Sequence, residues 1–131
     1  MVKTLKVLLI IYGVILILGG MGTIFIPEQT AVMFGVTNIS DFAKFSGVVL
    51  GAIYIAAGVW LLFATTDPLR NINWVKFVIT KALLSIAVMV YANILGWIDL
   101  RIAGMSILIF DAIMVVLFLV AYPWPKPVSS Q

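Results

Sequence analysis

The sequence predicts an all-α, integral membrane four-helix bundle with a short amphipathic segment between helices 1 and 2. Three observations predict it. Of the 131 residues, 64% are hydrophobic and 10% are charged, whereas soluble domains run near 45–50% apolar and about 25% charged. Four stretches of roughly 20 residues carry no charge or one, which is the length needed to cross about 30 Å of hydrocarbon. The connections between them are short. A small globule leaves much of its surface in solvent, so a chain this apolar requires lipid as that solvent. The length suits one domain, residues 1–131.

The first span covers about residues 7–26 and the second about 45–64, both without a charge. The third covers about 77–98, interrupted by Lys81, and the fourth about 102–122, interrupted by Asp111. Each must be helical, because an open strand in lipid leaves backbone groups unpaired. Lys3 and Lys6 ahead of an apolar run imitate a signal peptide. No small-x-small cleavage site follows and three more spans do, so the reading is a retained helix. Between spans one and two, Glu28 to Phe34 forms a short helix, with Pro27 at its start and Gly35 as its stop. Thr65-Thr66-Asp67-Pro68 is a turn sequence. The turn after span three is so short that spans three and four make an antiparallel hairpin. Pro123, Pro125 and Pro127 end the last helix.

Orientation follows from Lys and Arg in the flanks. One side holds Lys3, Lys6, Arg70, Lys76 and Lys126, and the other holds Lys44 and Arg101. This bias places the first side, with both termini, in the cytoplasm. Trp60, Trp74, Trp124 and Tyr122 then belt the inner interface, and Trp97 marks the outer one. The formal charge of +3 is spread over these flanks and forms no nucleic-acid patch.

Cysteine and histidine are both absent. That excludes disulfides, zinc thiolate sites, Cys nucleophiles and His-ligated haem. Di-haem cytochromes, CxxC quinone reductases and His-dependent sterol isomerases are excluded with them. No metal or cofactor is expected, and no paired carboxylates sit at helical spacing to hold Mg²⁺.

Two features stand out. Gly47, Gly51 and Gly58 give span two a small face, and Gly13, Gly19, Gly20 and Gly22 offer another on span one. Small residues let helix backbones approach where lipid supplies no hydrophobic drive. The plainer expectation is packing of spans one and two within one subunit; the other is a homo-oligomer. The second feature is Lys81, Ser85 and Asp111. Charges within a membrane are costly and usually face the bundle interior. Asp111 falls near mid-bilayer. Lys81 falls about one and a half turns inside the inner end of span three, an axial offset of roughly 7 Å at 1.5 Å per residue. Ser85, four residues on, shares its face. Three readings stay open: Lys81 snorkels while Asp111 is protonated or hydrogen-bonded; the two form a packing ion pair; or they form a proton- or cation-coupled site. Lys81 and Ser85 also allow a Ser–Lys dyad, but no oxyanion site or groove accompanies them. Asp41, Glu28, Asp99 and Arg101 read as a loosely paired, solvated outer rim.

The stretches MGTIFIPEQTAVMFGV and KFSGVVLGAIYIAAGVWLLF resemble the small four-helix membrane proteins of the DoxX-like and BphX-like kind. The likeness rests on a first helix ending near Pro27, a segment closing at Phe34-Gly35, and the glycines at 47, 51 and 58. It covers about half the chain. Relatives often show an arginine or acidic residue leading the second helix, where this chain has Asp41 and Lys44. The resemblance implies a four-helix bundle, and a redox link only as an accessory subunit. The function expected is therefore that of a non-enzymatic membrane protein, an accessory subunit of a larger complex or a binder of lipid- or quinone-type ligands. The alternative is a small transporter or channel that uses Asp111.

Overall fold

The computed structural model of the protein describes residues 2–33, 36, 38–97 and 105–125. The chain is helical: α1 (Val2–Phe25), α2 (Pro27–Met33), α3 (Asp41–Ala64), α4 (Ile72–Ile94) and α5 (Met105–Ala121). By length and composition α1, α3 and α4 can each cross a membrane, while α5 is a shorter, largely apolar helix of 17 residues. Residues 98–104 lie outside the described ones, so the outer start assigned to span four, together with Asp99 and Arg101, is not placed. Lys126 and Pro127 of the tail, and Phe34 and Gly35, likewise fall outside.

Local chemistry sets the helix ends. Pro27 opens α2 where its missing N–H costs nothing, and the Thr30 hydroxyl donates back to the Ile26 carbonyl at 2.9 Å. Ser40 caps α3: its Oγ accepts from the Ala43 N–H at 3.1 Å, and Asp41 places an acid in the first turn, where the helix dipole favours it. Ser40→Ala is expected to lower stability by about 1 kcal/mol, read as a shifted unfolding midpoint in detergent; an unchanged midpoint would show that this cap is idle. In the α3–α4 loop, Asp67 Oδ1 accepts from the Arg70 N–H at 3.2 Å, and the Asn71 side chain donates to the Asp67 carbonyl at 2.9 Å.

Helix α4 departs from the span expected at 77–98. It starts five residues earlier because Asn73 and Lys76 near a helix end can reach the interface while the backbone stays helical. It ends four residues sooner because Gly96 adopts φ 76°, a left-handed conformation that glycine takes without strain. The Gly96 N–H donates to the Asn93 carbonyl at 3.1 Å and the Trp97 N–H to the Ala92 carbonyl at 2.9 Å, the Schellman arrangement that closes a helix.

The helices form two close pairs, α1 with α3 and α4 with α5, joined by smaller α1–α5 and α3–α4 contacts. The first pair is clasped by glycine. A Cβ placed on Gly58 would lie 2.6 Å from the Gly13 carbonyl oxygen, and one on Gly20 would lie 2.5 Å from that of Gly51. The seven-residue spacing Gly13–Gly20 is matched by Gly51–Gly58, so antiparallel helices bring both couples together at once. Gly47 is half-buried against Thr23, where a Cβ would lie 2.9 Å from the Thr23 methyl. Gly47, Gly51 and Gly58 thus meet α1 of their own chain. Gly19 has nothing within 4 Å.

Candidate polar site within the helix bundle

Each long helix contributes one polar residue to a single layer. Tyr12 lies ten residues from the start of α1, Tyr54 ten from the end of α3, Lys81 nine from the start of α4, and Asp111 ten from the end of α5. At 1.5 Å per residue all four stand ~14–15 Å from the same end of the bundle. The axial offset expected between Lys81 and Asp111 disappears, because α4 begins earlier than the apolar run suggests. Lys81 is accordingly no terminal lysine reaching for the interface.

The layer is wired through a phenol. Lys81 Nζ donates to Tyr12 Oη at 3.2 Å, and the Tyr12 hydroxyl donates to Asp111 Oδ1 at 3.3 Å. Lys81 and Asp111 do not touch: among the described residues the one ion pair within 4 Å is Lys44–Glu28, at 3.0 Å on the exposed rim. The ammonium also sits 5.0 Å from the Tyr54 ring centroid and 5.4 Å from that of Tyr12, within cation–π range. Tyr12 is fixed by its neighbours, stacked on Phe110 at 6.2 Å and edge-on to Phe118 at 6.1 Å. Tyr12 and Asp111 are buried at 1% and 5% exposure, while Lys81 and Tyr54 are half-buried. Ser85, one turn along from Lys81, is half-buried; the hydrogen-bond chain runs through Tyr12 instead.

Packing is unequal on the two sides of this layer. Toward the nearer helix ends lies a continuous apolar core that includes Leu5, Leu9, Leu61, Val75, Val78 and Phe118. More than one residue beyond the layer on the other side, only Leu16, Gly20, Gly51 and Met89 are buried among the described residues. Apolar side chains face outward in both halves, Phe42 at 78% and Ile94 at 75% beyond the layer and Val120 at 72% beside the core. The polar layer is therefore the roof of the packed core and the floor of a thinner half.

Among the described residues no buried side-chain nitrogen or oxygen lacks a hydrogen-bond partner, and no three His, Cys, Asp or Glu residues cluster as a metal site. Lys81 and Asp111 stand out in the sequence as charges inside apolar runs. Tyr12 and Tyr54 are not singled out by that reasoning, although a signal exists. Tyrosine in a span belongs at the interface, and these two sit far from it. Other aromatic residues cluster near the helix ends: Trp60 stacks on Trp74 at 6.2 Å, and Tyr122 packs on Trp124 at 4.7 Å. No family model, no curated protein and no solved structure matches the chain.

Proposed function

We propose that the protein is a non-enzymatic, four-span membrane protein that binds a lipid-like molecule or a partner's transmembrane helix, as an accessory component of a larger assembly. The observation that carries this reading is the unequal packing of the bundle. One half is a filled core, whereas beyond the polar layer few of the described residues are buried, and apolar side chains face outward on both halves. In a bilayer such faces take lipid or another helix. Gly13, Gly20, Gly47, Gly51 and Gly58 are engaged within the chain, so association with a partner would use the outer faces instead. The likeness to DoxX-like and BphX-like proteins belongs to the same reading, as analogy of fold. Gently extracted protein is expected to fly in native mass spectrometry with a bound lipid-like molecule or a partner subunit. A bare monomer at every detergent concentration would overturn the proposal.

Transport through Asp111 has less support. The carboxylate is buried and held by Tyr12, whose ring stacks on Phe110, an arrangement suited to fixing four helices in register.

The proposed topology has both termini and the α3–α4 loop in the cytoplasm, following the Lys and Arg bias. Because the chain has no cysteine, single introduced thiols report position without background. An impermeant maleimide is expected to label Asn38→Cys on intact cells, and Thr66→Cys only after permeabilisation. The reverse pattern would invert the orientation.

A further inference from the structure

Lys81 and Tyr54 are the half-exposed members of the polar layer, and they face each other across the α3–α4 seam, the least extensive contact between neighbouring long helices. An ammonium offers three donors. One goes to Tyr12 Oη. The remainder meet the Tyr12 and Tyr54 rings, and a π face attracts a cation without accepting a directed bond from each N–H. A half-buried lysine at this depth is costly unless its donors meet polar acceptors. The ester groups of ordinary phospholipids lie at the boundary of a hydrocarbon layer about 30 Å thick, out of reach of the layer's midplane.

We propose that the α3–α4 seam binds a neutral, lipid-soluble molecule carrying a carbonyl oxygen, with that oxygen on Lys81 Nζ and its apolar body along the Tyr54 ring. Charge selects the class. Lys81 and Asp111 together are neutral, so an anionic guest would leave a net charge in hydrocarbon, while a carbonyl supplies the acceptor and adds none. The assignment rests on the reading of the chain as a membrane-embedded binder, and names what it binds and where.

The test uses the full chain in phosphatidylcholine liposomes with a dodecyl benzophenone, a neutral ketone that inserts into nearby C–H bonds when irradiated. Crosslinks are expected to concentrate on α3 around Tyr54 and on α4 around Lys81. A long-chain methyl ketone should compete and the alkane of equal length should not. Loss of a hydrogen bond to a charged donor should cut seam labelling about tenfold in the charge-balanced double variant Lys81→Met/Asp111→Leu. Tyr54→Phe, which keeps the ring, should cause a smaller loss. If the double variant fails to fold, the ketone–alkane comparison on the parent protein still decides. Crosslinks spread over all helices according to exposure, or equal competition by the alkane, would overturn the assignment. An unlabelled seam in protein that still carries a lipid-like passenger in native mass spectrometry would sink this site alone and leave the broader binding role standing.

Discussion

Gly58→Val is expected to unclasp α1 from α3 and to lower the stability of the bundle by about 3 kcal/mol, the upper end of ordinary overpacking penalties. A first side-chain carbon at Gly58 would lie 2.6 Å from the Gly13 carbonyl oxygen and 2.6 Å from Ile17 Cγ1, with the Ile17 backbone nitrogen at 3.2 Å. The isoleucine can turn aside. The carbonyl cannot, because it is part of the α1 hydrogen-bond ladder and moves only with the helix. Separating the helices also removes the close approach at Gly20 and Gly51, since the two contacts share one axis. Gly19→Ala is the matched control: nothing lies within 4 Å of that position, and replacing a mid-helix glycine should add roughly 0.5–1 kcal/mol. Far-UV circular dichroism through a titration with sodium dodecyl sulfate in mild detergent would separate the two variants in opposite directions. Equal midpoints would mean that the glycine clasp carries no stability.

Lys81→Met should cost about 3–5 kcal/mol, the range seen when one partner of a buried charge pair is removed and the other is left behind. The effect reaches Asp111 through Tyr12 rather than by direct contact. Tyr12→Phe should therefore cost about 1–3 kcal/mol with the ring packing kept, because the carboxylate loses its donor and the ammonium its acceptor. The diagnostic quantity is the coupling. Replacing both charges in Lys81→Met/Asp111→Leu leaves no ion uncompensated and should destabilise less than the sum of the single changes. In the Tyr12→Phe background the coupling between Lys81 and Asp111 should shrink, since the wire between them is cut. Additivity within about 0.5 kcal/mol in both backgrounds would show that the three side chains act independently.

The helical class of the chain was legible from uncharged length alone, and so were Lys81 and Asp111, because charge is conspicuous in an apolar run. Their relation was not. Apolar runs mark where hydrocarbon is tolerated, and α4 extends past its run through Asn73 and Lys76, which shifted Lys81 by more than a turn relative to the helix end. Tyr12 was hidden for a different reason. A phenol counts as neither charge nor gap in a hydropathy reading, and its two partners lie on helices α4 and α5, at the far end of the sequence. The glycines at 13, 20, 51 and 58 were visible individually, but the matched spacing of seven gains meaning only once the helices are known to run antiparallel. The seam between α3 and α4 has no counterpart in the sequence, since it depends on how far apart two helices come to rest.

The Tyr12–Asp111 bond joins residues 99 positions apart, and this has a bearing on how the protein is made. The α1–α3 clasp needs only the first 64 residues and is available while the ribosome is still translating α4. In a chain that spans the membrane as proposed, Lys81 would then enter the bilayer with its phenol acceptor already on α1, but without its counter-ion. Only when α5 follows does Asp111 arrive to complete the neutral set. On that reading, release of the last helix would be the step at which the polar layer is completed, so a chain truncated before α5 is expected to be less stable than the full one.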